Sequence, residues 1–129
     1  MRYVFLIATP IALLAAQPAL SQAPAIIEIQ LANYKYSPAS IVLDHGQSYV
    51  LRLRNVAGGG HDFTAPDFFE AAKVDPEDQV WLTEGQVEVP SGLIRDIRVT
   101  APAAPGRYKI KCTHAFHAMF GMSGWIVVR

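Results

Sequence analysis

The sequence is poor in cysteine and has no excess of charge of either sign. Its 129 residues include one cysteine, and eleven Lys and Arg balance eleven Asp and Glu, so the formal net charge is zero. A single cysteine excludes an intramolecular disulfide. Balanced charge without a run of Lys or Arg argues against a nucleic-acid-binding protein. A hydrophobic content of 51% argues against disorder, and the length suits one domain.

The first 23 residues have the pattern of an export signal. A basic start precedes an uncharged apolar stretch from Tyr3 to Ala16, and small residues ending at Ala23 suit a signal peptidase, with cleavage after Ala25 as the alternative. The apolar stretch is shorter than the roughly 20 residues of a membrane span. We therefore expect residues 24–129 to form one domain that is periplasmic or secreted and not stably inserted in a membrane.

Short segments of alternating polarity predict β-strands in the exported part of the chain. Turn residues separate these segments, which indicates an all-β antiparallel sandwich or barrel. One segment differs, because Pro66 to Lys73 places apolar residues among good helix formers and predicts a short helix in a long loop. The predicted strands are Ile27–Leu31, Tyr49–Asn55, Gln86–Val89, Ile94–Val99, Tyr108–Cys112 and Trp125–Val128.

The segment from Cys112 to Met122 concentrates metal-binding side chains. Its eleven residues hold one thiol, two imidazoles and two thioethers, which are the soft and borderline ligands that copper takes. We expect Cys112, His117 and Met122 to share one ion, and His61, which follows three glycines, is the candidate for a fourth ligand. A bound metal would also protect a lone thiolate in an oxidising compartment.

Two residues of the same segment compete with these assignments. His114 is the rival of His117, but its position two residues after Cys112 leaves little room for chelation, so we expect it at the surface. Met119 is the rival of Met122. We expect Met119 to lie exposed in an apolar patch around His117, a kind of surface that marks docking sites. This apolar patch consists of Ala115, Phe116, Ala118, Met119 and Phe120.

These residues resemble those of the cupredoxins, the small blue copper proteins. The spacing of Cys112, His117 and Met122, five and five residues, resembles the ligand loop of rusticyanin, and its second half is similar to that of plastocyanin and pseudoazurin. Asn55, six residues before His61, is similar to the plastocyanin pattern around the first histidine ligand. The resemblance implies a Greek-key β-sandwich with one mononuclear copper at its end, held by His61, Cys112, His117 and, as the axial ligand, Met122.

One residue departs from the pattern of this family. Many cupredoxins have an asparagine directly after the first histidine ligand, where it ties two loops together, whereas this sequence has Asp62. We expect the charge of this carboxylate to lower the reduction potential of the copper. The ligand loop also lacks the proline that often precedes its histidine.

The resemblance implies a monomeric one-electron carrier that is not an enzyme. Its copper would alternate between Cu(II) and Cu(I), and it would dock transiently on a redox partner such as a c-type cytochrome, an oxidase or a reductase. The alternative is a copper carrier or storage protein in copper homeostasis, with His114 and Met119 as spare ligands. An enzyme fits less well: a Cys–His hydrolase needs a helix N-terminus to activate the thiol, and a multicopper oxidase needs histidines where Lys111 and Thr113 stand.

Overall fold

The computed structural model describes residues 12–19 and 22–129, and the first strand begins at Ala25. The predicted export signal, residues 1–23, therefore lies largely outside the described residues and stays a prediction. Within the described ranges, no helix has the length and apolar character that crossing a membrane requires.

Two β-sheets enclose one apolar core. Sheet I has five strands in the order β2-β1-β4-β9-β6, and sheet II has six in the order β3-β11-β10-β5-β8-β7. In sheet I the strands are β1 (Ala25–Ala32), β2 (Lys35–Ser37), β4 (Ser48–Asn55), β6 (Lys73–Val74) and β9 (Ile94–Thr100). In sheet II they are β3 (Ser40–Leu43), β5 (His61–Thr64), β7 (Leu82–Thr83), β8 (Gln86–Val89), β10 (Gly106–Lys111) and β11 (Ser123–Val128).

The all-β Greek-key sandwich predicted from the sequence is confirmed. Its sheets are mixed rather than purely antiparallel, because β1 pairs with β4 and β3 pairs with β11 in parallel. All six predicted strands exist, although the one expected over Tyr108–Cys112 ends at Lys111. In β4 the buried Leu51 and Leu53 alternate with less buried neighbours, as the period of two predicted.

The segment between β5 and β8 carries more structure than its sequence indicated. The predicted helix over Pro66–Lys73 is α1 (Pro66–Ala71), which buries Phe68 and Phe69. It ends early because Lys73–Val74 pairs with β9. A 3-10 helix follows over Pro76–Trp81. Trp81, expected in the core or in a lid, is 43% exposed, and the Arg95 guanidinium carbon lies 4.2 Å from its ring centroid.

Strands β3 and β11 approach each other so closely that Gly124 has no room for a side chain. A Cβ atom at Gly124 would lie 2.0 Å from the carbonyl oxygen of Ala39, which accepts a hydrogen bond from the Trp125 N–H. Gly124 stands two residues after Met122, so this close approach also fixes the end of the ligand loop.

Gly124→Ala is expected to lower the free energy of unfolding by about 3 kcal/mol, because backbone must move to accept the methyl group. Urea denaturation would measure the loss. Gly58→Ala is the matched control, since nothing lies within 4 Å of its Cβ position, and we expect it to change stability by no more than about 0.5 kcal/mol. Equal stability of the two variants would contradict the packing argument.

Candidate metal centre

The predicted ligands lie on sheet II and the loop that joins its last two strands. His61 opens β5 and is fully buried, and Cys112 follows the last residue of β10 and is 1% exposed. His117 lies half-buried in the loop, and Met122 is fully buried directly before β11. The thiol and both imidazoles thus converge on one spot.

The distances in this cluster suit a single metal ion. Nδ1 of His61 lies 3.0 Å from Nδ1 of His117, and Sγ of Cys112 lies 3.9 Å and 3.5 Å from these two nitrogens. Metal–nitrogen and metal–sulfur bonds are about 2.0 and 2.3 Å for an ion such as zinc, so ligand atoms at these separations can share one ion. A thiolate with two imidazoles and a thioether is a donor set of mononuclear copper.

Asn33, in the turn between β1 and β2, orients the His61 ring. The Nε2–H of His61 donates to Oδ1 of Asn33 at 2.9 Å, which leaves the Nδ1 lone pair free for a metal. The adjacent Tyr34 packs its ring edge-on against His117, with centroids 5.0 Å apart. Neither residue could be recognised from the sequence, because a polar turn residue and a partly exposed tyrosine are common on any surface.

Burial favours the uncharged forms of Cys112 and His61 in the metal-free chain. It raises the pKa of the Cys112 thiol, while the backbone N–H groups of Asp62 and His114 act in the opposite direction. Burial is also the main cause of the lowered pKa of His61, followed by the nearby His117 and His114. The imidazole is therefore ready to bind metal, whereas the thiol must release a proton first.

Hydrogen bonds within the ligand loop hold it without the missing proline. The Cys112 N–H donates to the Met122 carbonyl at 3.1 Å, and the Met122 N–H donates to the His117 carbonyl at 3.1 Å. Three of the predicted ligands are therefore connected through the backbone of one loop. Gly121, with a φ of +98°, supplies the left-handed conformation that this closure needs.

Asp62 connects the first histidine to the ligand loop. Its buried carboxylate accepts hydrogen bonds from the Thr113 N–H, the Thr113 hydroxyl, the Thr64 hydroxyl and the Gln86 amide. Its own N–H donates to Cys112 Sγ at 3.5 Å. Asp62 therefore fixes the loop and brings a negative charge close to the sulfur.

Asn55 organises the chain before His61. Its side-chain amide donates to the carbonyls of Gly59 and Val89 at 2.9 and 2.8 Å, and its Oδ1 accepts from the Ala57 N–H at 2.8 Å. These bonds shape the glycine-rich loop that leads into β5. They give a physical reason for the Asn55–His61 spacing noted in the sequence.

The rival ligands lie elsewhere. His114 lies partly exposed, with 33% of its side chain accessible. Its Nε2 bonds the Glu88 carboxylate at 2.9 Å, and its ring stacks on His117 with centroids 5.3 Å apart. His114, Glu88 and Asp62 form a second cluster whose ligand atoms lie within 4.8 Å of one another. The Asp62 oxygens, however, already accept hydrogen bonds from protein N–H and O–H groups. Met119 is 80% exposed.

The expected apolar patch is present beside His117. Phe116, Met119 and Phe120 are 67%, 80% and 65% exposed. Phe116 holds a φ of +64°, uncommon for a residue with a side chain, and Tyr34 packs against Phe120 with ring centroids 5.2 Å apart. Tyr34, which also packs edge-on against His117, therefore links His117 to the apolar patch.

The chain belongs to the cupredoxin-like family. A family model described as "Cupredoxin-like domain" matches residues 4–128. A search of the curated proteins found no significant match.

Solved structures share this fold at low sequence identity. A dithionite-reduced auracyanin from the photosynthetic bacterium Roseiflexus castenholzii is 21% identical, with a TM-score of 0.61 over 84% of this chain and 99% of that one. Auracyanin A, a "blue" copper protein from the green thermophilic photosynthetic bacterium Chloroflexus aurantiacus, is 19% identical, with a TM-score of 0.57 over 83% and 100% of the two chains. A multicopper oxidase is 13% identical, with a TM-score of 0.59 over 84% of this chain but 45% of its own.

Asn33→Ala is expected to weaken copper binding by about 10- to 100-fold, because His61 loses the acceptor that fixes its ring and tautomer. Competition against a chelator of known affinity would measure the loss. Asn33→Asp, which keeps an acceptor oxygen, is expected to retain most of the affinity. Binding by Asn33→Ala equal to that of the unaltered chain would show that Asn33 does not position the ligand, provided that both metal-free proteins unfold at the same temperature.

Proposed function

We propose that this chain is an exported mononuclear copper protein that carries single electrons between redox partners. The observation that carries the proposal is the convergence of the Cys112 thiol with the Nδ1 atoms of His61 and His117, 3.0 to 3.9 Å apart. The auracyanin-like fold and the family membership support it. The predicted signal at residues 1–23 supports a periplasmic or secreted location, with residues 24–129 as the copper-binding domain.

In this proposal His61, Cys112, His117 and Met122 would hold the copper. Copper supplies one-electron chemistry when bound, since this donor set suits both Cu(II) and Cu(I). The protein supplies rigidity. Asn33 fixes one imidazole, Asp62 ties the thiol-bearing loop to β5, and loop backbone bonds hold Met122 in place. A site held in this way needs little rearrangement when the oxidation state changes.

The exit for the electron is the His117 end of the molecule. His117 lies between the buried sulfur and the apolar patch, where Phe116, Met119 and Phe120 offer a weak, quickly released contact surface. A c-type cytochrome, an oxidase or a reductase could dock there, and the protein would act as a monomer.

The contacts of His114 favour an electron carrier over a copper-transfer protein. A copper carrier needs spare ligands, and His114 is the nearest, but its Nε2 bonds Glu88. An enzyme is a poorer fit as well. Cys112 follows a β-strand rather than starting a helix, and Lys111 and Thr113 occupy the positions where a multicopper oxidase needs histidines.

The decisive experiment is visible absorption and electron paramagnetic resonance after one equivalent of Cu(II). We expect an intense blue or green band with reduced copper hyperfine splitting. Cys112→Ser is expected to abolish the band, because the band requires the sulfur, whereas Met122→Leu is expected to keep the colour and shift the reduction potential. A weakly coloured complex would instead indicate a copper carrier, and full colour in Cys112→Ser would refute the ligand assignment.

Asp62→Asn is expected to raise the reduction potential by roughly 50–100 mV, or about 1–2 kcal/mol for one electron. The change removes a buried negative charge that favours Cu(II), while an amide oxygen remains to accept from Thr113. Voltammetry of the copper-loaded protein would measure the shift. Asp96→Asn is the control, since it changes the net charge equally at a carboxylate paired with Arg52 on sheet I. A potential that stays constant or falls in Asp62→Asn would contradict the prediction.

A further inference from the structure

The outer faces of the two sheets carry their charges differently. On sheet I opposite charges meet across neighbouring strands. Arg54 pairs with Glu28, with Nε and Oε1 3.2 Å apart, and Arg52 donates two hydrogen bonds of 2.9 Å to Asp96. These four side chains therefore cancel in charge.

On sheet II three cations stand in a row without acidic partners. Arg107, Lys109 and Lys111, here named the basic stripe, are less buried than the residues they alternate with in β10. They share the outer face and follow one another at about 7 Å. Every acidic residue of the chain lies within residues 22–129, and in that range none forms an ion pair with the basic stripe. β11, which pairs with β10, and β3 beyond it contain no Asp or Glu, and Asp62 of β5 on the other side is buried.

Trp125 of β11 holds two of these cations in place. The Arg107 guanidinium carbon lies 4.2 Å from the centroid of the Trp125 ring, and Lys109 Nζ lies 4.7 Å from it. Such contacts reduce the freedom of long side chains, so the charges stay fixed at the face. Tryptophan and arginine are also residue types enriched at protein interfaces.

The basic stripe leads to the ligand loop. Lys111 directly precedes Cys112, and it lines one surface pocket together with Phe116 and Met119 of the apolar patch. The basic stripe and the apolar patch are therefore neighbouring parts of one surface, and this surface reaches the proposed copper ligands.

We propose that the basic stripe and the apolar patch together dock an acidic protein. The inference rests on the proposed function and specifies the redox partner as a protein whose electron-entry surface is rimmed by carboxylates. Fixed cations raise the rate of encounter with such a surface and select against basic partners. A bilayer is a poorer occupant, because three cations attract anionic lipid only weakly and the Trp125 ring is half-buried between them.

The test compares two charge reversals that change the net charge equally. Lys109→Glu reverses the centre of the basic stripe, and Lys73→Glu reverses an exposed lysine of β6 on sheet I that also makes no ion pair within residues 22–129. The probe is poly-L-glutamate, titrated into the isotope-labelled full chain at low ionic strength and followed by NMR, with and without copper.

We expect chemical-shift changes to concentrate in β10, β11 and the ligand loop, and to disappear in about 0.5 M salt. Lys109→Glu is expected to weaken binding at least about fivefold more than Lys73→Glu. In the Cu(I)-loaded chain, oxidation of the copper to Cu(II) by hexacyanoferrate(III), which becomes hexacyanoferrate(II), is expected to slow about three- to tenfold more in Lys109→Glu than in Lys73→Glu.

Equal effects of the two reversals would overturn the proposal, since net charge alone would then explain the binding. Tighter binding to vesicles containing phosphatidylglycerol, or to single-stranded DNA, would overturn it in favour of a membrane or a nucleic acid. The outcome is separable from the proposed function. If the chain binds poly-L-glutamate through the basic stripe but gives no intense copper band, the proposed docking surface stands and the proposed electron transfer is refuted.

Discussion

The site depends on the hydrogen bonds that the buried carboxylate of Asp62 accepts. Asp62 lies between two predicted ligands, following His61 in the chain and accepting hydrogen bonds from Thr113, the neighbour of Cys112. A charge removed from water is tolerable only when its hydrogen bonds are complete, so the groups that bond it cannot drift apart without a large cost. The start of β5 and the end of β10 are thereby held together by protein groups alone.

The site also joins the two sheets. His61 belongs to sheet II and Cys112 directly follows its strand β10, whereas Asn33 lies in a turn of sheet I and bonds Nε2 of His61. Tyr36, also of sheet I, donates its buried hydroxyl to the Asp62 carbonyl at 2.6 Å. The spacing of the ligands is consequently set by how the apolar faces of the sheets pack, and the sandwich core acts as the rigid frame of the metal centre.

Sequence reasoning succeeded where a pattern repeats or a residue type is rare. Strands such as β4 are long enough to show alternation, and a lone cysteine among histidines and methionines is chemically distinctive. It failed for β2, β3, β6 and β7, which have two to four residues each and are too short to show a period. The roles of Asn33 and Glu88 could not be seen in the sequence. Asn33 is 28 residues from His61, Glu88 is 26 residues from His114, and neither residue type is unusual in a turn or an exposed strand.

The order of the ligands along the chain has a consequence for biogenesis. Cys112, His117 and Met122 come after ten of the eleven described strands, and only β11 follows them. A growing chain therefore holds only one of the four predicted ligands, His61, until almost all of the sandwich has been synthesised, and β11 must still pair with β3 and β10 to close the loop. The complete ligand set thus comes together only when the last strand of the sandwich pairs.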